Sequence, residues 1–241
     1  MEKVLLVTGA SSDMGMALIK KVHKEYDHIL LQYRTESEDF LAMVKEVSNN
    51  TKTSLYQVDL LDNESLEEMI GEIKASGILP NYIVHFPAPK YYNKQFHKDD
   101  WVNFESSFLI QVRSIAKILK AFIPEMSRNK FGRIVFMLSS VTAGDTPKYL
   151  SSYNTVKYAL LGLMKSLSSE YSEKNVTVNA VSPDMVETKF LSEISDLVIE
   201  SNRNKNASGK NVDIKDVVNA IEVYLNDSEG VHTGENKIIL A

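Results

Sequence analysis

Seven short apolar runs rich in β-branched residues recur along this chain, near positions 3–8, 28–33, 53–58, 81–86, 132–139, 176–182 and 236–240. Segments of helical period lie between them, including Met16 to Tyr26, Leu66 to Ile73, Phe108 to Met126, Leu150 to Tyr171 and Val212 to Leu225. Strands that alternate with helices pair in parallel and are covered on both faces, which is why they read as continuous apolar runs. The expected fold is therefore α/β, a doubly wound parallel sheet of about seven strands with helices on both faces.

The 241 residues contain no Pro- or Gly-rich linker, so a single domain spanning 1–241 is expected. One compositional break, Ser201 to Asn211, is polar and reads as a mobile loop. Lys plus Arg total 27 against 32 Asp plus Glu, and a net charge of −5 gives no electrostatic case for nucleic acid. The absence of Cys removes disulfides, thiol catalysis and thiolate metal sites, and five scattered His show no ligand spacing, so no metal is expected. With no signal-type start and no apolar stretch of membrane-spanning length, the expectation is a soluble cytoplasmic protein without a membrane partner.

Two local patterns carry chemistry. The first apolar run ends at Gly9, with Ser11, Ser12 and Gly15 ahead of a helix, and a strand, a glycine turn and a helix N-terminus make an anion site suited to a dinucleotide pyrophosphate. Tyr153 and Lys157 sit four apart in a helical segment and so share a face. A phenol titrates near pH ~10, and an adjacent cation lowers that value toward the range useful to a general acid or base. Ser139 and Ser140 close the apolar run that begins at Gly132.

Five stretches in this order and spacing resemble the short-chain dehydrogenase/reductase family over nearly the whole chain. They are Thr8-Gly-Ala-Ser-Ser-Asp-Met-Gly15, Val58-Asp59-Leu60, Gly132-Arg-Ile-Val135 leading into Ser139-Ser140, Tyr153-x-x-x-Lys157, and Val178-Asn-Ala-Val-Ser-Pro183 with Glu187-Thr188. The resemblance implies a Rossmann-like sheet and a catalytic set in which Tyr153 transfers the proton, Lys157 binds the nicotinamide ribose and lowers the phenol pKa, and a serine orients the carbonyl. Ser140 has the commoner spacing to Tyr153, while Ser139 stays open because the stretch from Gly132 is one residue longer than usual. Gln111 falls where the family has an asparagine that holds a water linking the lysine to solvent. Cofactor contacts are implied for Gly9, Ser11, Ser12, Met14 and Gly15 in the phosphate loop, Asp59 and Leu60 beside the adenine, and Pro183 and Thr188 near the nicotinamide end. The second run ends Leu30-Leu-Gln-Tyr-Arg34 without a carboxylate, and Arg34 can fork onto a ribose 2′-phosphate, so NADP(H) is favoured over NAD(H).

Several positions depart from the family. Asp13 replaces a glycine of the phosphate loop, and two unit charges about 4 Å apart interact by roughly 4 kcal/mol near a protein surface. A helix N-cap is the reading that keeps this carboxylate off the phosphates. Asn81-Tyr-Ile-Val-His-Phe-Pro-Ala88 replaces the family's Asn-Asn-Ala-Gly, leaving His85 as a substitute hydrogen-bonding group or a buried structural one, and Asp184 follows Pro183 where glycine is usual. The stretch 184–211 resembles the family's substrate lid.

The resemblance implies an NADP(H)-dependent oxidoreductase that interconverts a ketone and a secondary alcohol. Its motifs look most like the 3-oxoacyl-[acyl-carrier-protein] reductase branch, which implies an acyl-thioester substrate and an acyl carrier protein docked on Lys130, Arg128 and Lys174; a small-molecule carbonyl is the other substrate class. Homotetramers or homodimers built on helices at 101–128 and 150–174 are usual in the family. The competing expectation is a degenerate member that binds nucleotide or a protein partner without catalysis, for which Asp13, His85 to Ala88, Gln111 and Asp184 speak.

Overall fold

A computed structural model describes residues 1–90, 93–144, 146–192 and 194–241; Glu193, inside the expected lid, lies outside the described residues. Seven strands form one sheet: β1 (Val4–Thr8), β2 (His28–Tyr33), β3 (Lys52–Gln57), β4 (Tyr82–His85), β5 (Gly132–Met137), β6 (Val176–Pro183) and β7 (Asn236–Ile239). Their spatial order is β3-β2-β1-β4-β5-β6-β7, and every pairing is parallel. The helices are α1 (Asp13–Val22), α2 (Glu38–Val47), α3 (Asn63–Ser76), α4 (Trp101–Phe108), α5 (Ser114–Asn129), α6 (Ser151–Tyr171), α7 (Asp196–Lys205) and α8 (Ile214–Leu225).

Alternation along the strands builds two cores. Leu5 and Val7 of β1 face a cluster that includes Ile19, Phe40, Met43 and Ile221 from α1, α2 and α8. Val4 and Leu6 face the opposite side, where Leu66, Ile118, Phe122 and Met164 come from α3, α5 and α6. The doubly wound Rossmann-like expectation is met, and the strand order reverses between β1 and β4, where a crevice opens at the carboxyl ends of the strands.

Several elements differ from the sequence-based expectation. Helix α2 was not anticipated, although Ser37 caps it by accepting from the Phe40 N–H and Phe40, Met43, Val44 and Val47 form its buried stripe. The polar break at Ser201 is not a loop throughout, because α7 continues to Lys205 before the chain turns. The long helix expected over 101–128 is interrupted by a single π turn at Leu109–Arg113, the kind of insertion that recurs at functional sites.

Arg133 ties the lower edge of the sheet together. Its guanidinium is fully buried and donates to the carbonyls of Gly132, Asn175, Asp227 and Ser228 and to Asn175 Oδ1. Five donors in a rigid fork match this cage, and the nearby carboxylates of Asp227 and Glu229 favour the charge that sits inside it. Arg133→Met should lower the unfolding free energy by about 3 kcal/mol, because several carbonyls lose a charged donor. Urea denaturation at constant slope checks this, and a loss below about 1 kcal/mol would contradict the cage.

Candidate active site

The turn after β1 is shaped by glycine geometry. Gly9 has φ of 71°, and a Cβ on Gly15 would lie 2.6 Å from the Gly9 carbonyl oxygen, so a side chain at either position would deform the turn. Ser12 is the N-cap of α1: its hydroxyl accepts from the Gly15 N–H at 3.0 Å and donates to the Gly9 carbonyl at 2.8 Å. Among the described residues the Asp13 and Met14 N–H groups take no acceptor, which leaves two first-turn donors for an anion.

The expected capping role of Asp13 is therefore corrected. Asp13 is the first helical residue, and its Oδ2 accepts the backbone N–H of Lys189 at 2.7 Å from across the crevice. Asp59 Oδ1 accepts from the Leu61 N–H at 2.9 Å, while Asp62 caps α3.

Tyr153 and Lys157 lie on the first two turns of α6, which packs against β6. Lys157 is fully buried, donates to the Met137 carbonyl at 3.0 Å, and holds its Nζ 5.6 Å from the centre of the Tyr153 ring. Burial lowers its ammonium pKa to about 7. Ser140 donates to Asp184 Oδ1 at 3.2 Å, while Ser139 lines the same cleft.

His85 occupies the space behind this group. Its Nε2 lies 3.0 Å from the Gln111 carbonyl oxygen and its Nδ1 2.7 Å from Thr8 Oγ1. A carbonyl only accepts, which assigns the ring proton to Nε2 and leaves Nδ1 to accept from the threonine. Burial lowers the His85 pKa to about 3, so the ring is neutral and structural. Gln111 thus spends its carbonyl on His85. Its buried Oε1 has no partner among the described residues and borders a cavity of about 30 Å³ that also touches Tyr153 and Ser107. That volume suits one water.

A cleft of about 880 Å³ brings together Gly9, Ser11, Ser12, Met14, Arg34, Asp59, Leu60, Ser139, Ser140, Tyr153, Lys157, Pro183 and Thr188. Gly15 lies behind the turn it permits, and Gln111 borders only the small cavity. The residues present fit a dinucleotide: a glycine-shaped cradle at a helix N-terminus lies between an exposed Arg34 and the buried Lys157.

Sequence reasoning missed the lid-side wall. Asn202 of α7 donates to Asp184 Oδ2 at 3.1 Å and to Asn211 Oδ1 at 3.0 Å, and Asn211 in turn donates to Glu187 Oε1 at 2.8 Å. Lys90, Lys148 and Lys205 border the same cleft, beside Phe190, Ile194, Leu197 and Val198. No periodic signal marks these positions. The one available hint is the apolar run Leu197-Val-Ile199 ahead of a polar stretch.

A family model described as enoyl-(acyl carrier protein) reductase matches residues 9–239. The chain belongs to the short-chain dehydrogenase/reductase family. With that membership it is an NAD(P)-dependent oxidoreductase acting on CH–OH or C=O groups. Curated relatives include the 3-oxoacyl-[acyl-carrier-protein] reductase FabG of Rickettsia bellii, 24% identical, with 95% of this chain and 92% of the relative covered. The NADPH-dependent pterin aldehyde reductase of Arabidopsis thaliana is 28% identical over 78% of this chain and 77% of its own length. Among solved structures, ElxO with NADP bound shares the fold at a TM-score of 0.86 and 21% identity, with 99% of this chain and 97% of that one covered.

The buried Lys157 has a consequence for stability. Its folded pKa is depressed, so between about pH 7 and 10.4 the unfolded chain binds more protons than the folded one, and stability rises with pH through that window. Lys157→Met removes the term. Without cofactor, the variant should gain stability over the parent at pH 6, and denaturant titrations should show that gain shrinking by pH 9. A pH-independent difference would contradict the buried ammonium.

Proposed function

We propose that this protein is an NADP(H)-dependent oxidoreductase interconverting a ketone and a secondary alcohol, with Tyr153, Lys157 and Ser140 as its catalytic set. The observation that carries the reading is a single cleft with Tyr153, Lys157 and both serines at one end and the glycine cradle and Arg34 at the other. A nicotinamide dinucleotide, when bound, would supply or take up the hydride at the substrate carbon. In the reducing direction the serine hydroxyl donates to the carbonyl oxygen, and Tyr153 delivers the proton as charge develops there. Protonated Lys157 steadies the phenolate that remains, and its burial keeps that interaction strong. Ser140 rests on Asp184 and must turn from it to reach a carbonyl. Gln111 contributes by holding a water in the small cavity beside Tyr153.

Gly9, Ser11, Ser12, Met14 and Gly15 would form the pyrophosphate cradle, Asp59 and Leu60 the adenine end, and Pro183 and Thr188 the nicotinamide end. The preference for NADP(H) rests on exposed Arg34 at the end of β2, where no carboxylate stands to bond the ribose hydroxyls. One domain over 1–241 with a lid over 184–211 belongs to the same proposal, and the hydrogen bonds of α7 to Asp184 and Asn211 support the lid.

For the substrate we favour a 3-oxoacyl thioester over a small free carbonyl. Apolar Ile194, Leu197 and Val198 suit an acyl chain, and Lys90, Lys148 and Lys205 suit the anionic arm of an acyl carrier protein. The docking residues expected from the sequence are poorly placed for this within one subunit. Lys130, Arg128 and Lys174 sit at the amino ends of β5 and β6, whereas the cleft opens at the carboxyl ends. Assembly as a homodimer or homotetramer is also proposed, because α4 and α6 expose Trp101, Val102, Phe108 and Tyr158.

Tyr153→Phe should abolish reduction of 3-oxoacyl thioesters while leaving cofactor binding intact, as measured by NADPH oxidation and nicotinamide fluorescence. Full turnover in that variant would overturn the assigned role. Arg34→Ala should weaken NADPH by about tenfold more than NADH, the worth of one charged hydrogen bond. Equal weakening of the two would remove the 2′-phosphate assignment.

A further inference from the structure

We infer that Asp13 is a positioning residue that latches the segment after Thr188 over the dinucleotide cleft and thereby slows cofactor release. The inference rests on the cofactor assignment proposed above. A carboxylate in a phosphate loop ought to repel the ligand, yet Asp13 is committed elsewhere: it accepts the Lys189 N–H at 2.7 Å, from a residue 176 positions away. Lys189 opens a short 3-10 turn (Lys189–Leu191), and its N–H is the first-turn donor that has no acceptor within the turn. Its Nζ reaches Asp39 Oδ2 at 3.2 Å in the first turn of α2. One residue at the cleft therefore has two anchors, α1 through its backbone and α2 through its side chain.

The two anchors differ in weight. The Lys189–Asp39 pair is exposed on both partners, at 72% and 75%, and contributes little. The Asp13 bond joins a backbone donor to a fixed helical residue, so it sets the strap's position. Entry or exit of a dinucleotide requires this bond to break. In the bound state it directs the Asp13 charge to the Lys189 amide and away from the pyrophosphate. The residue that looks most hostile to the cofactor thus becomes part of its closure.

The test compares Asp13→Ala with Asp13→Asn, since Asn keeps the acceptor oxygen and loses the charge. NADPH release, followed by stopped-flow displacement, should be about three- to tenfold faster in Asp13→Ala, as expected for one partly exposed hydrogen bond, and near the parent rate in Asp13→Asn. Lys189→Pro, which deletes the donor, should speed release more than Lys189→Ala, and adding it to Asp13→Ala should have no further effect. In the cofactor-free protein, amide exchange at Lys189 should accelerate in Asp13→Ala without a matching fall in melting temperature. Slower release in both Asp13 variants would mean that the carboxylate simply repels the phosphates, and unchanged release would mean that the bond is incidental; either overturns the latch. Failure of the parent protein to bind NADPH or NADH would instead remove the cofactor assignment, and the latch with it.

Discussion

Parallel pairing is the constraint on which this structure depends. Each of the seven strands runs the same way, so every connection crosses a face of the sheet, and the loops that leave the carboxyl ends gather on one edge. At the reversal between β1 and β4 those loops diverge to opposite faces and leave the crevice open. The phosphate turn after β1, Arg34 after β2, Ser139 and Ser140 after β5 and Asp184 after β6 line one cleft there, with His85 at the end of β4 buried behind it. Chemistry-bearing residues scattered over more than half the chain are neighbours because of strand direction alone.

The departures from the family pattern come as matched pairs. Asp13 stands where glycine is usual and holds a backbone amide of the strap. His85 replaces an asparagine and bonds Thr8 and the carbonyl of Gln111, which is itself a replacement. Asp184 replaces glycine and joins Ser140 to Asn202 of α7. A decayed site leaves polar groups without partners. Here each substituted group has found one, apart from the Gln111 side-chain oxygen beside its water-sized cavity. That pattern favours adaptation over loss of function.

Legibility followed the range of the interactions involved. Strands were readable because burial on both faces leaves a dense apolar run, as in Lys3 to Thr8 and Val176 to Ser182. Tyr153 and Lys157 were readable because helical spacing fixes their relation. Helix α2 carries the same kind of signal in Phe40, Met43, Val44 and Val47, with Ser37 ahead of it. The roles of Asp13 and Asp184 were hidden for a different reason. Their partners lie on segments distant in sequence, and nothing local distinguishes a carboxylate that caps its own helix from one that reaches across a cleft. Helix α7 buries no residue, so hydrophobic periodicity had little there to detect.

The central claim is that the cleft is a working NADP(H) site despite the carboxylate in its phosphate loop. Titration of the purified protein with NADPH and NADH, followed by nicotinamide fluorescence, tests it most directly. The account predicts saturable binding of both, with NADPH the tighter. Absence of binding for either dinucleotide would contradict it.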